Sequence, residues 1–359
     1  MQGDYGYGNA RVRAMKSRLL DARAYGDLLA ATSIDMVIEM LVRTAYRETI
    51  EATLVKYGGV KCVAEALRLD LARTVGRIKL FFEGRPRALV ALLLSRWDMR
   101  NLMAVLRGQA RGVPAEEILD ALVPAGELTE VELREMALQP SIRATADLMF
   151  TWHIPYASAL GEALRTASGD LADIETRLNR LRYREALARL GHEMNEMLVR
   201  EMLEAEIDVA NLTTLIRLLS LGDRRAKLRA RYGSADPMTL LIEDGGLSPR
   251  VLSALSAAED AESMARVLSG TPYGTVLMNR WETYRQSADA AVLERGLEEF
   301  VVLKGIRMFH RDPLSIAIPT GYIWAKANEV VNVRLIAQGK ALGWDRDSIH
   351  KELIWWVRE

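Results

Sequence analysis

One pattern recurs three times in this chain: an acidic residue, two further residues, an asparagine and then an aliphatic residue. The acid and the asparagine are Asp98 and Asn101, Asp208 and Asn211, and Glu329 and Asn332. The chain holds only 8 asparagines in 359 residues, so three aligned copies are hard to credit to chance. Copies of about 115 residues are too long for solenoid units of roughly 20 to 50 residues and have the size of small domains.

A second set of residues keeps nearly the same offsets as the first. A leucine, a threonine three positions later and a tyrosine close behind occur at 41–46, 148–156 and 268–273. Gly126 and Gly246 then open the second and third copies. We therefore predict three similar helical repeat domains, at 1–123, 124–244 and 245–359. Three related domains can close around a pseudo-threefold axis as a ring or funnel, although an open arc is the alternative.

Each copy has the pattern of amphipathic helices. Apolar residues return at three and four positions, as at Ile34, Ile38 and Leu41, and long alternating strand patterns are absent. The predicted fold class is therefore all-α. Gly108 and Gly339 follow the asparagine of their copies by seven residues and are predicted to be helix C-terminal caps.

The repeated acid and asparagine lie on one side of a helix, beside the aliphatic stripe. Buried polar groups need hydrogen-bond partners, so the favoured interpretation is structural: they hold each helix in its own domain. The functional alternative is that three equivalent carboxylates line a lumen.

Residue patterns that carry chemistry are mostly missing from the sequence. The four histidines are scattered, there is no HExxH, phosphate loop, GxGxxG or GxSxG motif, and Cys62 is the only cysteine. We therefore predict no catalytic residue, no cofactor and no metal site. The uncharged stretches 148–161 and 313–325 are too short to span a membrane, so no direct membrane span is expected.

Charge offers a few candidate contact residues. The 48 basic residues balance 48 acidic ones, and no nucleic-acid partner is predicted. Arg11 and Arg13 near the start, and Arg224 and Arg225 in the second copy, belong to basic clusters. Each cluster is either a solvated helix face or a contact for an acidic partner or lipid headgroups. Trp324, in the uncharged stretch, is a further candidate for contact with a partner, or else core.

Three blocks of this sequence together resemble one protein family. They are the opening at 7–15, the three acid and asparagine segments, and the closing stretch from Asp312-Pro313-Leu314 to Gly339-Lys340. In order and spacing they are similar to the C subunit of the prokaryotic A/V-type ATP synthase or ATPase, which is related to the d subunit of the eukaryotic vacuolar enzyme. The resemblance covers nearly the whole chain, but Ala327 and Val331 stand where the family more usually has charged residues.

The resemblance implies a non-catalytic central-stalk subunit of a rotary ATPase. Such a subunit is a funnel of three helical domains on the cytoplasmic face of the membrane, between the membrane proteolipid ring and the axle formed by the D and F subunits. It transmits torque while protons or sodium ions are moved, coupled to ATP synthesis or hydrolysis. The alternatives are a free-standing helical adaptor that binds proteins and an all-α enzyme with an unrecognised site.

Overall fold

The computed structural model describes residues 4–166, 171–219 and 236–356. Within those ranges the chain is helical and has no strand, which confirms the all-α prediction. Eighteen α-helices are present there, numbered α1 to α18 in chain order. They are Gly6–Lys16, Ala22–Ala30, Ile34–Val42, Arg47–Leu54, Gly59–Leu80, Gly84–Ala110, Ala115–Ala121, Glu130–Ala137, Ile142–Thr151, Ala157–Thr166, Leu171–Ala188, Met194–Leu219, Pro249–Ala257, Ala261–Val267, Pro272–Ser287, Ala291–Arg307, Ala317–Ala341 and Arg346–Glu352. Short 3₁₀ turns lie at Pro237–Leu240 and Met308–His310.

The helices belong to two compact units. Unit 1 joins residues 1–153 to residues 305–359, and unit 2 holds residues 154–304. The division into three repeat domains at 1–123, 124–244 and 245–359 stays a prediction.

Side-chain caps explain where several helices begin. Ser33 accepts a hydrogen bond from the backbone N–H of Met36 at the start of α3. At the start of α8, Thr129 and Glu132 form a capping box. Such caps satisfy backbone donors that have no partner inside the helix, and each stabilises its helix by about 1 kcal/mol.

The ends of α6 and α17 correct the predicted glycine caps. The left-handed residues are Gly112, with φ of 66°, and Gly343, with φ of 72°, just after each helix. Gly108 and Gly339 lie inside the helices, where a Cβ atom would come within 2.6 Å of the side chains of Ile118 and Ile349. The prediction that they are caps was therefore wrong: they are glycines because the following helix packs directly against them.

The core of unit 1 surrounds α17. Eighteen of its 25 residues are buried, and it packs against α1, α3 and α5. A helix that is covered on most sides lacks a wide polar face, and the buried polar residues of α17, among them Lys326, Glu329 and Asn332, are held by hydrogen bonds. Trp324 is part of this core, with the Arg96 guanidinium 3.9 Å from its ring centroid.

Unit 2 has a core of its own, built around α12. Leu212, Leu215 and Ile216 of α12 pack in one cluster with apolar residues from α13 to α16. Tyr273 belongs to this cluster, and its ring meets that of Phe300 edge-on, with ring centroids 5.2 Å apart.

Candidate functional site: three repeated clamps

Each repeated asparagine is fastened to the backbone of one residue farther along the chain. Its side-chain NH₂ donates to that residue's carbonyl, and its side-chain oxygen accepts from the same residue's N–H. The pairs are Asn101 with Val123 (2.7 and 2.9 Å), Asn211 with Ile242 (2.8 and 2.7 Å) and Asn332 with Ile354 (3.0 and 3.2 Å). An asparagine amide offers the same donor and acceptor as a peptide group, so this pairing satisfies both backbone atoms of the residue that it holds.

Each repeated acid accepts hydrogen bonds from a different segment. Asp98 accepts from the backbone N–H groups of Glu127 and Leu128, each at 2.9 Å. Asp208 accepts from Leu247 N–H at 3.0 Å and from the Tyr273 hydroxyl at 2.9 Å. Glu329 accepts from Leu20 N–H at 2.5 Å and from the Tyr46 hydroxyl at 2.7 Å. We call each acid and asparagine, with the backbone and side-chain groups that bond to them, a clamp.

The first two acids hold segments that lie at the predicted openings of the second and third copies. These segments include Glu127 and Leu128 for Asp98, and Leu247 for Asp208. Glu329, in the third copy, holds Leu20 in the first copy, 309 residues away. Each of these bonds lies within one of the two units.

Glycines make room for the two aspartates. A Cβ atom on Gly126 would overlap the Asp98 carboxylate, and one on Gly245 would overlap that of Asp208. The segment held by Glu329 has Leu19 before Leu20 and no glycine. The extra methylene of glutamate gives that carboxylate a longer reach toward the backbone.

Burial controls the electrostatics of the two aspartate clamps. It raises the pKa of Asp98, and the N–H groups of Glu127 and Leu128 oppose the rise. Burial likewise raises the pKa of Asp208, against the hydrogen bonds from Leu247 and Tyr273. The pKa of the Tyr273 hydroxyl is also shifted, because burial and the Asp208 charge raise it well above its ordinary value.

The third clamp differs because it contains a buried cation. The ammonium of Lys326 lies 2.7 Å from Asp70, 2.8 Å from Glu329 and 2.8 Å from the Tyr46 hydroxyl, and the residue is 4% exposed. Burial alone would lower the pKa of Lys326, but the carboxylates of Glu329 and Asp70 outweigh it and raise that pKa. Burial and the Glu329 charge raise the pKa of the Tyr46 hydroxyl.

The predicted contact residues are scattered rather than gathered at one place. Arg11 is exposed, with its guanidinium 5.7 Å from the ring centroid of Tyr7 and 4.9 Å from that of Phe81, and Arg13 is exposed on the same helix. Trp324 is only 4% exposed, so it presents little surface to a partner in this chain.

Two of the predicted contact residues, Arg224 and Arg225, lie outside the described ranges.

Three residues in or beside the third clamp were not predicted to belong to a site. Sequence reasoning did not identify Lys326 or Asp70, and it noted Tyr46 only as a repeated residue. For Lys326, the available signal was a lysine three positions before an acid that is itself in the repeat.

The clamps suit holding rather than chemistry. Their carboxylates are used as acceptors for fixed N–H and O–H groups. In the described ranges, no three His, Cys, Asp or Glu residues are grouped so as to hold a metal ion. Among the helices of the described ranges, none is both long enough and apolar enough to cross a membrane.

Fold and clamps together define the class: an all-helical protein in which three repeated acid and asparagine pairs hold other segments of the chain by polar bonds. The family model named ATP synthase (C/AC39) subunit matches residues 8–352, and the chain belongs to that family. The resemblance to the C subunit of the A/V-type enzymes is thereby confirmed. Since that subunit is a non-catalytic stalk component, the expectation that this chain is not itself an enzyme agrees with its family.

Relatives of known identity match over almost the whole chain. The C subunit of the A-type ATP synthase from Methanosarcina acetivorans is 29% identical over 341 residues, which cover 94% of this chain and 89% of the relative. The C subunit of the V-type ATP synthase from Thermus thermophilus is 29% identical over 354 residues, covering 99% of each. The A-type counterpart from Thermococcus kodakarensis is 27% identical over 359 residues, covering 98% of this chain and 89% of the relative.

Proposed function

We propose that this protein is the central-stalk linker of a rotary A/V-type ATPase. It receives the axle formed by the D and F subunits on one side and contacts the membrane proteolipid ring on the other. It transmits torque between them while the complex moves protons or sodium ions, coupled to ATP synthesis or hydrolysis. It sits on the cytoplasmic face of the membrane as a peripheral subunit, with its three repeats arranged as a funnel.

The observation that carries this proposal is the succession of clamps from copy to copy, including the bond from Glu329 to Leu20. A linker under torque has to resist the separation of its parts. Buried hydrogen bonds to charged groups are among the stronger ones, each contributing about 1.5–3 kcal/mol, and their loss leaves buried donors unpaired. A chain fastened in this way resists deformation.

Binding to both neighbours tests the proposal directly. The purified protein is mixed with the detergent-solubilised proteolipid ring and with the D–F axle, and ternary complexes are measured by size exclusion with light scattering. We expect one complex that contains all three. If neither the ring nor the axle binds at micromolar concentrations, the proposal falls and a free-standing adaptor takes its place.

Coupling provides the second readout. In a reconstituted complex, Glu329→Gln loosens the third clamp, and Glu48→Gln alters a carboxylate of unit 1 that is 81% exposed. We expect Glu329→Gln to lower the number of ions moved per ATP while Glu48→Gln leaves that ratio unchanged. Equal ratios for both variants would show that the clamp has no part in transmitting torque.

A further inference from the structure

Two long helices of unit 1 carry almost no negative charge outside the clamps. The acid of α6 is Asp98 and that of α17 is Glu329, and both are buried. The exposed and half-buried side of α6 presents arginines separated by small residues. Among them are Arg87, Arg96, Arg100 and Arg107, with Ala91 and Ala104 between them.

The uncovered stripe of α17 is also free of acids. Ala327, Val331, Arg334 and Gln338 recur on it at helical spacing, and Val331 and Gln338 are exposed. Since the whole chain has equal numbers of acidic and basic residues, the charge on these two helices is locally one-sided. The two helices also contact each other within unit 1.

Arg100 and Arg334 carry like charges on two helices that contact each other. Burial, together with the charge of Arg100, lowers the pKa of Arg334. The Nε atom of Arg334 is buried and has no hydrogen-bond acceptor among the residues that the structure describes. In the described part of the chain, neither arginine pairs with a carboxylate.

A half-buried guanidinium whose Nε–H group lacks an acceptor is costly to the free protein. Arginine also forms paired hydrogen bonds with carboxylates, which makes it the preferred cation at protein interfaces. The small residues beside the arginines leave room for another backbone to come close. The surface therefore suits a helix that carries carboxylates on an otherwise small-residue face.

We propose that Arg100 and Arg334, with the acid-free stripes of α6 and α17, form the docking surface for an acidic helix of a partner protein. Under the proposed function, on which this assignment rests, that partner is the axle. Its carboxylates would separate the two like charges and provide acceptors for the guanidinium of Arg334.

The test compares three variants for binding to two probes. Arg100→Glu reverses an exposed charge, and Arg334→Met removes the half-buried one. Arg250→Glu is the matched control, because Arg250 is an exposed arginine on α13 of unit 2. The probes are the purified D–F axle and a fluorescent helical peptide of alternating glutamate and alanine blocks, and binding is followed by anisotropy at low and high salt.

We expect Arg100→Glu and Arg334→Met each to weaken binding of both probes by about tenfold or more, with Arg250→Glu unchanged. Higher salt should weaken binding of the native protein more than that of Arg100→Glu. Arg334→Met should also be at least as resistant to urea as the native protein, because an unpaired cation has been removed. A purely structural role for Arg334 predicts the opposite change in stability.

The two probes separate the two proposals. If the native protein binds the axle and all three variants bind it equally well, the docking assignment is overturned while the linker function stands. If the native protein binds the acidic peptide through Arg100 and Arg334 but not the axle, the docking surface stands and the linker function falls. Binding of neither probe by the native protein overturns the docking surface.

Discussion

Replacing Glu329 by glutamine should destabilise unit 1 more than any conservative change at its surface. The carboxylate is 1% exposed and accepts from Leu20 N–H, the Tyr46 hydroxyl and the Lys326 ammonium. A glutamine keeps only one acceptor oxygen. Its NH₂ group therefore faces either the Leu20 N–H or the Tyr46 hydroxyl and the Lys326 ammonium. In both orientations a donor of the glutamine lies against another donor.

The expected loss of stability follows from removing one partner of a buried ion pair, which costs about 3–5 kcal/mol. Because Lys326 still has the Asp70 carboxylate at 2.7 Å, we expect a value at the lower end of that range. We expect Glu329→Gln to lower the free energy of unfolding by about 3 kcal/mol. Adding Lys326→Met should recover part of the loss, with a coupling of about 1–3 kcal/mol between the two sites.

Tryptophan fluorescence can report on the right unit. Six of the seven tryptophans belong to unit 1, and Trp281 belongs to unit 2. Urea unfolding in a Trp281→Phe background therefore follows unit 1. The control is Glu48→Gln, whose carboxylate pairs with Arg73 at the surface and should contribute within about 0.5 kcal/mol. A Glu329→Gln variant within about 1 kcal/mol of its parent, or simple additivity with Lys326→Met, would refute the reasoning.

The other predictions concern the second and first clamps. Asn211→Asp should cost about 2–4 kcal/mol at neutral pH, because a carboxylate then faces the Ile242 carbonyl in place of a donor; an unchanged urea midpoint would contradict this. Gly126→Ala should cost more than about 2 kcal/mol by displacing Asp98, whereas Gly76→Ala, with open space around it, should stabilise by about 0.5–1 kcal/mol. Since burial raises the pKa of Asp208, its contribution to stability grows as the pH falls through that raised pKa and is lost as the pH rises. Urea curves at about pH 7 and about pH 4.5 should therefore show the native protein gaining relative to Asp208→Asn, and a constant difference would count against the assignment.

Sequence reasoning worked best where a rare residue recurred. Asn101 and its two counterparts were found because asparagine is scarce, and a buried amide needs partners whatever the fold. The glycines that open the second and third copies were also visible, and the contacts of Gly126 with Asp98 now supply their physical reason. The all-α class was predicted from the helical spacing of apolar residues, a pattern that does not depend on knowing where each helix begins and ends.

What sequence reasoning missed depends on distance along the chain. Asp70 and Lys326 are 256 residues apart, and neither residue type is rare, so nothing in the sequence pairs them. The role of Gly108 was missed for another reason: a glycine that ends a helix and one that admits a neighbouring side chain look alike in sequence. The three-dimensional contact with Ile118 distinguishes them.

The bond from Glu329 to Leu20 has a consequence for biosynthesis. Unit 1 combines residues 1–153 with residues 305–359, so its core cannot form completely until residues 305–359 have been synthesised. All of unit 2 is synthesised before then. At roughly 5–20 residues per second, the intervening stretch of about 150 residues takes roughly 8 to 30 s to make. During that interval the α5 surface destined for α17 has no cover, which makes the nascent first half a natural client for chaperones.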